Sequence, residues 1–235
     1  MQPPVANTAF LHPLTGKPIA AVLFDLDGTL VDSAPDIASA INTVMADDGL
    51  APLDVTKVRT LIGEGIRRLV EKAYIFQNRQ LAVGDLDIRT AQFAGTYEMN
   101  IAVATRAYTG VEAGLEELRQ CGVKIAVVSN KAQHLTDRLL RSLGLFHRFD
   151  FVMGARDDIA KKPAPDMLQF ALRNVSAGTG TAIFVGDSIA DVDAARAANL
   201  PCLLIEGGYT IEPAARLGAW KTVADFASLI SLWRK

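Results

Sequence analysis

Asp25 and Asp27 stand two residues apart in Phe24-Asp25-Leu26-Asp27-Gly28-Thr29-Leu30-Val31-Asp32-Ser33, directly after the short apolar run Ala20–Phe24. That run has the composition of a buried central strand. The Asp-Gly pair marks the turn by which the chain leaves the sheet. Positions two apart on an extended chain project to the same side, so both carboxylates can face one substrate. In open α/β sheets the crevice outside the carboxyl ends of the strands is where ligands bind. The segment reads as the floor of a phosphoryl-transfer site.

Three further segments fit such a site. Lys124-Ile125-Ala126-Val127-Val128-Ser129-Asn130-Lys131 is an apolar run ending in small polar residues. Lys161-Lys162-Pro163-Ala164-Pro165-Asp166 fixes a basic pair ahead of a helical pattern, and Ala182-Ile183-Phe184-Val185-Gly186-Asp187-Ser188-Ile189-Ala190-Asp191 is another strand ending in acids. In this order the four segments resemble the haloacid dehalogenase superfamily, and their wording is most similar to its phosphoglycolate phosphatase branch. The likeness runs from about Ile19 to the C-terminus.

The resemblance implies a Mg²⁺-dependent phosphatase acting through a phosphoaspartyl intermediate, with 2-phosphoglycolate the first substrate to expect. It makes Asp25 the nucleophile and Asp27 the general acid/base. Asp25, the backbone carbonyl of Asp27 and Asp187 become the Mg²⁺ ligands, and Asp191 an outer partner of the metal site. Mg²⁺ suits such a set, because it is held by one or two carboxylates, waters and substrate phosphate. Ser129 and the Asn130 amide would bind phosphoryl oxygens, and Lys162 would pair with Asp25 and the phosphate. Lys161 is expected as a solvated lysine; Lys131 either lines the site rim or begins the next helix. Leu61-Ile62-Gly63-Glu64-Gly65-Ile66-Arg67-Arg68 is similar to the loop that this branch lowers over its substrate. Gly63 and Gly65 would allow close backbone approach, and Arg67 or Arg68 could hold a substrate carboxylate bidentately. A sugar-phosphate mutase on the same scaffold is the alternative activity. A non-enzymatic relative is disfavoured by the intact set of core residues.

The elements that must position these residues follow from periodicity. Strand candidates recur at 19–24, 124–128, 149–153, 182–185 and 201–205, with amphipathic stretches at 112–120, 133–143, 165–174 and 189–198 between the later ones. Such alternation predicts βαβ units and a parallel sheet. About a hundred residues separate the first two strands, and helical patterns occupy 37–48, 54–61, 65–74 and 87–100. The expected fold is therefore α/β, a Rossmann-like parallel sheet with helices on both faces and an inserted α-helical cap. Residues 1–18 form an arm, 19–33 and 106–235 the core, and 34–105 the cap.

Composition bounds the rest. Of the 235 residues half are apolar, enough for a large core, and the formal net charge is −2. With no basic run, nucleic acid is not an expected partner. No apolar run reaches the roughly 18 residues of a membrane span. The proline-bearing N-terminus lacks the pattern of a secretory signal. Two cysteines, Cys121 and Cys202, give no disulfide framework and read as small hydrophobes, which suits a reducing, cytoplasmic location. His12, His134 and His147 are expected at the surface or at helix ends, and Trp220 and Trp233 as packing anchors. The expected partner is a small phosphorylated metabolite, with the chain a monomer or homodimer.

Overall fold

The computed structural model describes residues 10–12, 14–210 and 212–233. In chain order its elements are β1 (Ala21–Phe24), β2 (Val31–Asp32), α1 (Ala34–Ala46), α2 (Val55–Arg59), α3 (Ile66–Phe76), α4 (Val83–Met99), β3 (Arg106–Ala107), α5 (Val111–Gln120), β4 (Lys124–Ala132), α6 (Gln133–Ser142), β5 (Phe151–Ala155), α7 (Asp166–Asn174), β6 (Ala182–Gly186), α8 (Ile189–Ala197), β7 (Cys202–Ile205), β8 (Lys221–Val223) and α9 (Phe226–Trp233).

Every residue of β1 is buried, and the strand bonds on both edges, to β4 from Ala21↔Lys124 and to β6 from Ala21↔Ala182. A strand covered on both faces has no reason to alternate, which is why β1 reads as a continuous apolar run. Its odd and even side chains nevertheless enter different layers. Val22 and Phe24 join Ile125, Ile183, Leu115 of α5 and Phe226 of α9 on one face. Ala21 and Leu23 join Ala126, Phe184, Met167 of α7 and Ala195 of α8 on the other. The sheet order is β5-β4-β1-β6-β7-β8, all parallel. The chain builds outward from β1 through β4 to β5, then returns to β6 on the opposite side. That reversal opens a crevice at the carboxyl end of β1.

Helices α1 to α4 lie between β2 and β3, a two-stranded antiparallel ribbon pairing Val31 with Ala107 and Asp32 with Arg106. The Asp36 carboxylate ties the two chain crossings together. It accepts from the backbone N–H groups of Ala104 and Thr105 and from the Thr105 hydroxyl, at 2.7–3.0 Å. Within the insert, Asp48 accepts from the Tyr74 hydroxyl at 2.6 Å and pairs with Arg89, linking α3 and α4.

Several features differ from the sequence reading. Helix α4 begins at Val83 rather than near 87, with Ala82 extended just before it. Strand β4 runs on to Ala132 past a register shift, so Ser129, Asn130 and Lys131 ride on strand rather than on a following turn. Neither β8 nor α9 was expected. Yet α9 buries Phe226, Leu229, Ile230 and Trp233 at helical spacing, and Asp225 caps it by accepting from Ser228 N at 2.7 Å. His12 is a correction: it is buried, with Nε2 3.1 Å from the Ala182 carbonyl and Nδ1 accepting from Thr15 N. Phe10 meets Trp233 edge-on, so the described part of the arm packs on the core; residues 1–9 and 13 lie outside the described residues. Trp233 is buried as expected, but Trp220 is 40 % exposed and anchors nothing central. Among the described residues no helix is long and apolar enough to cross a membrane.

Gly114 of α5 is buried where a Cβ would overlap the ring of Phe226, whereas Gly95 of α4 has open space around it. Gly114→Ala should destabilise the protein by about 1–3 kcal/mol through overpacking. Gly95→Ala should stabilise it by about 0.5–1 kcal/mol through lost chain entropy. Urea unfolding checks both; equal stability of the two variants would contradict the close packing of α5 on α9.

Candidate active site

Asp25 follows β1 directly, and its backbone N–H donates to the Val185 carbonyl at 2.8 Å, which fixes the residue against β6. Its Oδ1 lies 2.7 Å from the Lys162 ammonium, which also lies 2.7 Å from Asp191 Oδ1. Lys162 comes from the turn before α7 and is 4 % exposed. Burial opposes its charge, but Asp191 and Asp25 outweigh that and hold its pKa above the usual lysine range. Burial pushes the Asp25 carboxyl up to about 6, against the pull of Lys162.

Asp187 directly follows β6 on the other side of the same point. Its Oδ2 accepts from Tyr209 N at 2.6 Å and its Oδ1 from the Thr29 hydroxyl at 3.3 Å. Gly28, at φ +89°, and Gly208 press so closely on this carboxylate that neither leaves space for a Cβ. Burial first, then the charges of Asp191 and Asp25, push the Asp187 carboxyl well above its ordinary range. Asp191 is fully committed: its Oδ2 accepts from Asp187 N, Ser188 N and the Ser188 hydroxyl, closing a capping box at the start of α8.

Asp25, Asp187 and Asp191 each offer a carboxylate oxygen within 4.8 Å of the others, all buried. One lysine offsets only part of three converging negative charges. An all-oxygen donor set with surplus negative charge in a buried pocket fits a hard divalent cation, so the residues present suit the expected metal.

Asp27 faces the inserted helices. Its carboxylate accepts from the Ser33 hydroxyl at 2.5 Å and from the Lys131 ammonium at 2.9 and 3.1 Å. The alternatives for Lys131 resolve in favour of the site: it is buried within β4, and its ammonium lies 4.7 Å from the centre of the Tyr97 ring on α4. Ser129 is buried beside it, its hydroxyl oxygen accepting from Lys131 N. The Asn130 side chain donates to two carbonyls, Lys162 and Gly63, at 2.9 Å each. Lys161, expected as a solvated lysine, donates to the Glu64 carbonyl. Core side chains thus hold two successive carbonyls, Gly63 and Glu64, of the Gly63–Gly65 turn, whose glycines sit at φ +120° and +92°.

These groups enclose a cavity of about 370 Å³ between strand ends and insert, and Asp25, Asp27, Ser129, Asn130, Lys162, Asp187, Asp191, Gly63 and Gly65 all line it. Arg67 and Arg68 do not. Ile66 and Leu69 occupy the cavity-facing side of α3, which turns the two arginines outward; Arg67 pairs with Asp87 and Arg68 with Glu71, each side chain half exposed. The cation that α3 does bring to the wall is Lys72, held by Glu64. Sequence reasoning also missed Tyr97 and Tyr209. Tyr97 recurs four residues after Phe93, a spacing that reads as ordinary core, and Tyr209 sits in a loop with no pattern at all.

A family model described as haloacid dehalogenase-like hydrolase matches residues 22–205. A phosphoglycolate phosphatase of Caulobacter vibrioides is 36 % identical over 92 % of this chain and 90 % of its own. A plasmid-borne phosphoglycolate phosphatase of Cupriavidus necator is 40 % identical over 92 % and 93 %. The crystal structure of a predicted phosphoglycolate phosphatase from Haemophilus somnus superposes with a TM-score of 0.84 at 30 % identity, covering 91 % of this chain and 97 % of that one. The chain belongs to the haloacid dehalogenase-like hydrolases, and it is a phosphoric monoester hydrolase of their phosphoglycolate phosphatase-like branch.

Proposed function

We propose that this enzyme hydrolyses 2-phosphoglycolate to glycolate and phosphate through a phosphoaspartyl intermediate on Asp25. The observation that carries this reading is the pairing of two carboxylates with separate buried lysines: Asp25 on Lys162, Asp27 on Lys131. Two acids at one strand end, held in different environments, suit two different tasks. The likeness to enzymes named phosphoglycolate phosphatase supports the substrate.

Lys162 holds Oδ1 of Asp25, which leaves Oδ2 to attack phosphorus. A bond forms from that oxygen to phosphorus as the bond to the glycolate oxygen breaks. In its protonated form Asp27 gives a proton to the departing oxygen and becomes the carboxylate that Lys131 and Ser33 hold; it then takes a proton back from the water that attacks the acyl phosphate, releasing Asp25 and inorganic phosphate. Ser129 and Asn130 N–H bind the phosphoryl oxygens. Asp25, the Asp27 carbonyl and Asp187 would hold Mg²⁺, which would supply the positive charge that lets an anionic ester approach a carboxylate. Residues 34–105 serve as a lid that keeps bulk water from the acyl phosphate, their apolar wall of Ile37, Ile62, Leu69 and Phe93 drying the cavity.

Asp25→Asn should abolish turnover while leaving the fold intact; substantial Mg²⁺-dependent phosphate release by that variant would sink the covalent route. Asp27→Asn should slow alkyl phosphates by ~10²–10⁴ but aryl phosphates less, because their leaving groups need less protonation. Steady-state rates on ethyl and p-nitrophenyl phosphate decide this, and equal losses would argue against proton transfer by Asp27.

Metal and proton compete for the same carboxylates. The Asp25 carboxyl is raised to about 6 and that of Asp187 well above its ordinary range, both chiefly by burial, so acid keeps protons on them and excludes a cation. Added Mg²⁺ should therefore raise the melting temperature more at pH 8 than at pH 5. A shift independent of pH, measured by calorimetry, would remove these carboxylates from the metal site.

A further inference from the structure

With both arginines of α3 turned away, the charge that reads the substrate's carboxylate must come from elsewhere on the cavity wall. Three ammonium groups line it: Lys162, Lys72 and Lys131. Lys162 is divided between two buried aspartates, and Lys72 is bound to Glu64 at the partly exposed margin. Lys131 is different in position, because its partner is Asp27, the group that meets the leaving oxygen in the reaction proposed above. In 2-phosphoglycolate the carboxyl carbon is two bonds from that oxygen. A carboxylate so close to the leaving atom falls within reach of an ammonium 2.9 Å from Asp27.

A second observation points to the same spot. The Tyr97 hydroxyl is buried, on a residue that lines the cavity, and among the described residues its proton finds no acceptor, because the Lys131 ammonium beside it can only donate. Leaving a buried donor without an acceptor costs free energy, which an incoming acceptor recovers. Burial pushes this phenol up to about 12, so it keeps its proton and donates. The Lys131 ammonium lies against the same ring. The rest of the wall at this level is apolar, with Phe93 stacked on Tyr97 at 5.8 Å.

The geometry points to Lys131 and Tyr97 as the pair that binds the substrate carboxylate, Lys131 by charge and Tyr97 by a hydrogen bond from its hydroxyl. This rests on the phosphoglycolate reading and deepens it by naming specificity-determining residues. An apolar pocket closed by one cation and one neutral donor favours a short ester with a single anionic group beside the ester oxygen. A longer or polyhydroxylated leaving group would leave hydroxyls against Phe93, Ile37 and Leu69.

The test compares two inert ligands in the Mg²⁺-saturated enzyme by titration calorimetry: 3-phosphonopropionate, which carries the carboxylate, and propylphosphonate, which has a methyl group in its place. Wild type should bind the first more tightly by at least ~10-fold, the effect of a hydrogen bond to a charged group. Tyr97→Phe should cut that ratio severalfold, and Lys131→Gln should bring it close to one. Circular dichroism and the propylphosphonate affinity report whether Lys131→Gln keeps its fold, and Tyr97→Phe, which loses one oxygen, decides the matter if it does not. A ratio retained in both variants would overturn this assignment while leaving the substrate reading in place. Loss of the ratio in Lys72→Gln alone would overturn it in favour of the cavity margin. A wild type that binds both ligands equally would bring down the phosphoglycolate reading itself, and this assignment with it.

Discussion

One lysine makes the interior of this site possible. Asp25, Asp187 and Asp191 crowd together at the ends of two neighbouring strands, all but stripped of water. Carboxylates in that condition repel each other and resist ionisation. Lys162 answers with a single ammonium at 2.7 Å from both Asp25 and Asp191. Its own position depends on Asn130, which holds the Lys162 carbonyl, and Asn130 in turn depends on the continuation of β4. The site residues at the ends of β1, β4 and β6 are therefore one mechanical unit, and the order of strands in the sheet is what brings them side by side.

A second layer of organisation concerns charge bookkeeping between the two acids of the first motif. Asp25 and Asp27 are separated by one residue, yet β geometry and the following turn send them to different neighbours. Asp25 looks into the acidic cluster, and Asp27 toward Lys131, Ser33 and the inserted helices. Asp25, the proposed nucleophile, thus belongs to the sheet, whereas Asp27, the proposed proton carrier, belongs to the boundary with the insert. This division explains how one short loop can serve both a charge-rich floor and an apolar ceiling.

Most of the floor was legible in the sequence, and little of the ceiling. Asp25, Asp27, Ser129, Lys162 and Asp187 lie at the ends of strands or in a proline-bounded turn, where composition marks the element and the family resemblance singles out the residue. The insert offers no such guide. Arg67 and Arg68 are the charged residues nearest the Gly63–Gly65 turn, but helix phase, set by Leu69, Val70 and Ala73 seeking the core, turns them outward. Tyr97 carries the apolar spacing of a core residue, and nothing local reveals that the residue lines a cavity. His12 and α9 were missed for a related reason: their partners, the Ala182 carbonyl and Phe24, are far away in sequence. The cap of α9 at Asp225 was readable; the buried role of His12 was not.

Tyr209 joins two regions that have so far been treated apart. Its backbone N–H holds Asp187, while its hydroxyl accepts from Ser33 N at 2.7 Å and Ala34 N at 3.0 Å and donates to Asp32. Asp32 in turn binds Arg59 of α2. A single residue is thus a tie-rod between the acidic cluster and the pivot on which the insert would swing. Any rotation about Ser33 must either snap two hydrogen bonds to a buried phenol or drag the 206–210 loop, and with it the grip on Asp187. For the lid proposed above, opening the roof would also loosen the floor.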